Sequence, residues 1–500
     1  MSEARTITVE RPELDAEKLG FFRYGFVKDK VVLTNDCGEW HWLTQDDFAE
    51  FLAGRITAEH PQFEALRSRA FLRDGMDALA LAERYRRKRS FLPYGPHLQI
   101  VITTLRCNQS CKYCHASRTD MDRVDTDMTI ETAKKVVDMA MQTTSPYVCF
   151  EYQGGEPTVN MPVIRFMVEY SREKNRYEKK TLDHSLVTNM SYMNEENAEW
   201  LLANGVMVCT SLDGPEDLHD WNRPWVKGKA FQDVVKWIAY FNRRYIEMGR
   251  NPDLWHVDAL MTTTRRSLDR WKEIIDLYVS LGIRNIHLRP LNPFGFATAT
   301  WRVIGYGMDE YMAFYEKAFD YILELNKQGV QIQEGTAATF LKKMLTPDDP
   351  NFTDIRSPVG SGTGQVGYYY DGTIVPSDEG RMVYAMGDDF FAIGQVGVTT
   401  YAEARNHPTV KAIATASYLD SLPGCATCWN APYCGVRPEH NYMQARDLFA
   451  QRPRTPKCKE HMTIGRLLFD RLIHDPDGRN NAIFQRWTID RPRETTSDRA

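Results

Sequence analysis

Three cysteines, Cys107, Cys111 and Cys114, fall within Thr104-Leu-Arg-Cys-Asn-Gln-Ser-Cys-Lys-Tyr-Cys-His115 at a C-x3-C-x2-C spacing. Thiolates packed this closely can hold a metal ion or an iron–sulfur cluster. Three protein ligands leave one iron of a [4Fe–4S] cluster open to a substrate or cosubstrate. On spacing alone the alternatives are a zinc knuckle with His115 as fourth ligand and a set of unbridged thiols. A second group, Cys425-x2-Cys428-x5-Cys434 with Cys458 further on, supplies four thiolates. Four can close a coordination shell, around a cluster or around zinc. Cys37, Cys149 and Cys209 stand apart.

Strands must position these groups. His97-Leu-Gln-Ile-Val-Ile-Thr103 is apolar and rich in β-branched residues, so it reads as a strand ending in the first cysteine loop. From there strand and helix patterns alternate: strands over Leu98–Thr104, Tyr147–Tyr152, Asp183–Thr188, Val206–Leu212, Trp255–Met261 and Ile283–Leu288, helices over Ile130–Met141, Val163–Lys174, Glu195–Ala203 and Phe231–Phe241. Six such units predict an α/β fold, a partial (β/α)6 TIM-like barrel with its site at the strand C-termini.

Polar motifs fall at those ends. In Glu151-Tyr-Gln-Gly-Gly-Glu-Pro157, Gly154 and Gly155 let backbone approach a ligand, and Glu156 offers a carboxylate to an ammonium group. Thr188 and Asn189 end the third strand, and Ser211 and Asp213 follow the fourth. These suit ribose and carboxylate contacts, or plain turn chemistry. Arg223 can meet an anion or form a surface ion pair, and Arg289 closes the last barrel strand as a candidate substrate contact.

Five segments follow. Residues 1–95 form a small α+β domain, with strands at Phe21–Phe26, Val31–Thr34 and Glu39–Leu43, a helix capped by Thr44, and a basic run at Ala82–Ser90 read as a solvated helix end. Residues 96–304 form the barrel, 305–350 linking helices (Tyr311–Asn326, Thr336–Leu345), 351–475 the module of the second cysteine group, and 476–500 a tail. The module opens with a strand at Val366–Tyr370 and a hairpin turn on Asp371-Gly372.

Composition excludes several classes. The chain has 500 residues, 43% hydrophobic and 26% charged, with a net charge of −5, so nothing favours nucleic acid or an anionic membrane. No apolar run reaches membrane-spanning length, and Met-Ser-Glu-Ala-Arg-Thr is not followed by the apolar core of a signal peptide. The expectation is a cytoplasmic protein.

The cysteine loop with Tyr113 before its last thiol, Tyr152-Gln-Gly-Gly-Glu-Pro, Ser211-Leu-Asp-Gly-Pro, Ser377-Asp-Glu-Gly-Arg-Met and Pro423-Gly-Cys together resemble the radical S-adenosylmethionine (SAM) superfamily and its SPASM extension. The likeness is to the maturase of the His-Xaa-Ser peptide system. It implies a radical SAM barrel, a winged-helix-like N-terminal domain that binds a leader peptide, and a SPASM-like C-terminal extension. It implies a SAM-binding [4Fe–4S] cluster on Cys107, Cys111 and Cys114. The SAM contacts would be Tyr113, Gly154, Gly155, Glu156, Thr188, Asn189, Ser211, Asp213, Arg223 and Arg289. One auxiliary [4Fe–4S] cluster would sit on Cys425, Cys428, Cys434 and Cys458. The second auxiliary cluster of full SPASM domains is expected to be lost, because Ser377 and Pro438 stand where cysteines would be. Asp378 is carried over as the general base. The implied reaction is reductive SAM cleavage, then oxidative modification of a precursor peptide, with a paired maturase and a flavodoxin- or ferredoxin-type reductant as partners. Two rivals remain at this point: a radical SAM enzyme acting on a protein side chain or small molecule, and an iron–sulfur redox protein without radical chemistry.

Overall fold

The computed structural model describes residues 14–490; the chain start (1–13) and the end of the expected tail (491–500) lie outside the described residues. Strands β4 (Leu98–Thr104), β5 (Tyr147–Gly154), β6 (Thr181–Thr188), β7 (Met207–Ser211), β8 (Asp258–Thr262) and β9 (Asn285–Arg289) pair in parallel and in chain order. These are the six predicted barrel strands. Burial alternates along β6: Leu182, His184, Leu186 and Thr188 are buried, while Asp183, Ser185 and Val187 are half-exposed. A parallel sheet covered by helices on both faces would be apolar throughout. Here one face packs under helices such as Met161–Glu178, which buries Val163, Ile164, Met167 and Val168. The other face lines a lumen and stays polar.

The C-terminal module does not stand off from the barrel. Its strand β11 (Gln365–Tyr368) pairs in parallel with β4, Gly367 opposite Ile100. β12 (Thr373–Val375) and β13 (Gly394–Gln395) then extend the sheet antiparallel, and the two-residue β10 (Gln333–Glu334) flanks β9. An open barrel leaves β4 with an unpaired edge, and β11 satisfies it. The predicted turn holds: Asp371 accepts from Thr373 N at 2.9 Å, and Gly372 takes φ +91°. The predicted linking helices are Met308–Lys327 and Gly335–Leu345. The expected tail contains a helix, Arg479–Trp487, whose Phe484 and Trp487 pack on Phe319.

The N-terminal domain is a three-stranded antiparallel sheet, β1 (Arg23–Val27), β2 (Lys30–Thr34) and β3 (Trp40–Leu43), over its own core of Val31, Leu33, Phe51, Leu66 and Phe71. Thr44 caps helix Gln45–Leu52 as predicted, accepting from Asp47 N at 3.1 Å. The basic run departs from expectation. Helix Ala78–Lys88 buries none of its residues, yet Lys88 Nζ donates to the carbonyls of Lys343 and Thr346 at 2.7 and 2.6 Å. Arg87 pairs with Asp348 and Arg89 with Asp420. The run is a strut from the N-terminal domain to the end of helix Gly335–Leu345 and to Asp420 of the C-terminal module. Among the described residues no helix is long and apolar enough to cross a membrane.

Candidate active site at the barrel top

Cys107, buried, and Cys111 and Cys114, half-buried, occupy the loop after β4. Donors point at their sulfurs: Gln109 N to Cys107 at 3.4 Å, Asn189 Nδ2 to Cys107 at 3.6 Å, Arg223 Nη1 to Cys111 at 3.7 Å. Burial and the neighbouring thiols push Cys107 well above the usual thiol range, and burial pushes Cys111 up to about 12. Among the described residues no three His, Cys, Asp or Glu side chains converge on one point as a single metal ion needs. The donor set, with N–H groups aimed at thiolates, fits an iron–sulfur cluster, whose ligands take such second-sphere hydrogen bonds.

Gly154 and Gly155 approach backbone, as expected, but the backbone is that of the cysteine loop. A Cβ on Gly154 would run into Thr104 O, and one on Gly155 into Leu105 O and Arg106 O. Gly155 N donates to Thr104 O at 2.8 Å and Glu156 N to Arg106 O at 2.7 Å. Glu156, expected to receive an ammonium group, is 0% exposed. Its carboxylate accepts from Thr158 N (3.1 Å), Thr158 Oγ1 (2.5 Å), Thr188 Oγ1 (2.7 Å) and Asn189 N (2.8 Å). All four donors belong to the protein, so Glu156 fixes Thr188 and Asn189 under the cysteine loop.

Asp213 is buried at the centre of a second knot. Tyr113 OH donates to it, Arg223 Nε pairs with it at 3.1 Å, and Thr262 N donates at 3.2 Å. Arg223 lies 5.2 Å over the Tyr113 ring. This ion pair is buried, not superficial. Ser211 is half-exposed on the lumen side of β7. Arg289 is exposed at the end of β9 and, among the described residues, has no ion-pair or hydrogen-bonding partner for its guanidinium. Its charge bears on His115 and on Glu151.

Asp378 reaches this site from the C-terminal module. It opens helix Asp378–Ala385, capped by Ser377, and both Nε (3.1 Å) and Nη2 (2.5 Å) of Arg381 contact its Oδ1. Arg381 in turn bears on Cys114, and Asp378 on His115 and Glu151. Ser377 and Ser361 are buried and hydrogen-bond to Glu439, Ser377 Oγ at 2.7 Å. Cys425, Cys428, Cys434 and Cys458 line one small cavity of about 50 Å³ with Arg437, Arg452 and Lys457. Cys458 sits in the first turn of helix Pro456–Ile473, where its N donates to Thr455 Oγ1 at 3.2 Å and the helix dipole favours an anion. Burial raises Cys425, Cys428 and Cys434 above the usual thiol range, while Arg452, Arg23 and Lys343 favour negative charge on their sulfurs.

One residue escaped the sequence reading. Glu151, on the lumen side of β5, accepts one hydrogen bond, from Gln153 Nε2 at 2.6 Å, and burial raises its carboxyl above the usual range. Alternation along β5 was the available signal. A cavity of about 690 Å³ opens at the other end of the barrel, among the N-terminal ends of the strands.

Residues 101–258 match the Radical SAM superfamily, a family that uses a [4Fe–4S] cluster and SAM. The cysteine-type anaerobic sulfatase-maturating enzyme of Clostridium perfringens is 29% identical over 31% of this chain and 43% of its own length, so the chain spans under half of that curated relative. The solved structure of anSMEcpe with bound AdoMet and the Cp18Cys peptide superposes with a TM-score of 0.62 at 20% identity, covering 77% of this chain and 100% of its own. Streptococcus suis SuiB bound to its precursor peptide SuiA gives 0.50 at 13% identity, over 87% and 97%. Sequence match and barrel geometry agree that this part of the chain is a radical SAM domain.

Proposed function

We propose that the chain is a radical SAM enzyme that modifies a ribosomally made precursor peptide oxidatively, by a side-chain cross-link. One observation carries the reading: β11 joins the barrel beside β4, and the module that follows it brings Asp378, with its partner Arg381, to the three-cysteine loop. When bound, a cluster on Cys107, Cys111 and Cys114 with SAM would supply a hydrogen-abstracting radical, and a cluster on the four C-terminal cysteines an electron sink. The chain does the rest. Asn189, Gln109 and Arg223 hold the first thiolates, and Glu156 and Asp213 lock the strand ends that carry those donors. Arg381 occupies Oδ1 of Asp378, which leaves Oδ2 to take a proton from substrate. The lumen walls position the side chain and exclude water.

The N-terminal sheet offers a place for the leader. β1 is an edge strand, and its alternation turns Tyr24 and Phe26 outward, 49% and 56% exposed. Strand addition there would fix the peptide by main-chain hydrogen bonds. The solved relatives named above include two with bound peptides, which supports a peptide substrate. A paired maturase and a flavodoxin- or ferredoxin-type reductant complete the proposed partners.

The test is anaerobic reconstitution with iron counting, then SAM, dithionite and peptide. About eight irons are expected, falling to about four in Cys107/Cys111/Cys114→Ala with loss of 5′-deoxyadenosine. The peptide product should be lighter by two hydrogens. Zinc in the second group would remove the oxidation argument, and no 5′-deoxyadenosine from loaded protein would remove the radical one.

A further inference from the structure

The N-terminal sheet and the loop bearing three of the four C-terminal cysteines share a buried seam. Thr34, the last residue of β2, is 0% exposed, and its Oγ1 donates to Trp429 O at 2.7 Å. Arg23, the first of β1, is 6% exposed and donates from Nε to Ala426 O at 2.6 Å, while Asp36 holds Nη1 at 2.7 Å. Gly25 lies flat against the Trp429 indole, where any Cβ would run into the ring. Tyr433 OH donates back to Gly38 O at 3.0 Å. Ala426, Trp429 and Tyr433 interleave with Cys425, Cys428 and Cys434. The loop's own backbone bonds are short turns, among them Cys428 N to Cys425 O, Ala431 N to Cys428 O, Tyr433 N to Asn430 O and Cys434 N to Ala431 O. Its shape is therefore set largely from outside, by β1 and β2 on one side and by helix Pro456–Ile473, where Asn430 Nδ2 donates to His461 O at 3.1 Å, on the other.

We infer that the N-terminal sheet is a structural half of the second cysteine site, with Arg23 and Thr34 as positioning residues that fix the spacing of Cys425, Cys428 and Cys434. This rests on the proposal that these cysteines hold a metal, but not on which metal. A buried carbonyl keeps its geometry only while its donor stays. Thr34 and Arg23 supply those donors to the carbonyls of Trp429 and Ala426, which flank Cys428 in the chain. β1 is also the edge assigned to the peptide, so one strand touches both the recognition surface and the redox site.

The test uses full-length protein carrying Cys107/Cys111/Cys114→Ala, so that bound metal belongs to the second group. Thr34→Val removes the donor at nearly constant volume, and Thr34→Ser keeps it. Metal per chain and the EPR spectrum of the reduced protein are compared with the parent. The valine variant should lose about half or more of its metal or shift its signal, and the serine variant should match the parent. A valine variant that loads and signals like the parent overturns the inference. Should it fail to fold, hydrogen exchange of the parent with and without a chelator decides: stripping the metal should deprotect residues 23–34 together with 425–434 and leave β6 and β7 unchanged. Unchanged exchange over 23–34 overturns the inference. Zinc in the parent leaves it standing while removing the oxidation argument, and a parent without metal overturns the metal-site reading and this inference with it.

Discussion

Glu151 and Glu156 stand five positions apart around one strand end, and their surroundings give them opposite work. Glu156 has four donors and no exposure. With hydrogen bonds to charged groups worth about 1.5–3 kcal/mol each, its part is to hold the loop together. Glu151 has one donor, faces the lumen, and shares its field with Arg289 and Asp378. A lumen carboxyl with a raised pKa is suited to exchange a proton with a bound group. We expect Glu151→Gln to load iron normally and to form 5′-deoxyadenosine without peptide, but to modify peptide about tenfold more slowly, ~1.4 kcal/mol in barrier. Parallel assays of 5′-deoxyadenosine and peptide mass check it; unchanged modification would take Glu151 out of the chamber. The grouping of Cys107, Cys111 and Cys114 was legible in their spacing, and the glycine pair in its need for close backbone approach, though that approach is to Thr104, Leu105 and Arg106 and not to a ligand. Which carboxylate is free was not, because it depends on Thr188 and Asn189 arriving from the next strand.

Elements with a strong period were legible within a few residues. β4 is Leu98–Thr104 as predicted, and helix Glu195–Ala203 matches at both ends. β10 and β13, two residues each, carry no period to read. The pairing of β11 with β4 joins distant parts of the chain, and no local pattern announces it. The same holds for the contact between Gly154 and Thr104, which locks β5 to the loop after β4. Gly154 has φ +151°, a region that costs other residues about 1–3 kcal/mol, and its missing Cβ is the space Thr104 O fills. Gly154→Ala should therefore push the cysteine loop off β5. Iron should fall from about eight to about four, with the second cysteine group still loaded. Full loading at both groups would show that the loop does not depend on this contact.

At the scale of the whole molecule, the barrel hides neutral histidines whose protonation the fold resists. His184 lies between Phe150 and Tyr152, ring centroids 5.8 and 6.0 Å away. Its Nδ1 meets Tyr152 OH at 3.0 Å and its Nε2 meets Ser171 Oγ at 3.4 Å. Burial, with Arg172 adding to it, holds its pKa at about 3, against 6.5 for an ordinary histidine. The unfolded chain takes this proton first, so the stability involved is complete above pH 6.5 and is lost as pH falls from 6.5 toward 3. Over that window one histidine contributes a slope of up to about 1.4 kcal/mol per pH unit. His219, lowered to about 4 by burial, adds to the same trend. Denaturant midpoints should fall as pH drops from 7 to 5, and His184→Gln should fall less steeply than the parent whatever its absolute stability. The slope is the informative quantity, since the substitution also disturbs packing between the two rings. Parallel lines for parent and variant would take the acid sensitivity away from His184 and leave it to His219 and to ion pairs such as Lys28–Asp470 and Arg89–Asp420, which tie the N-terminal domain to the C-terminal module.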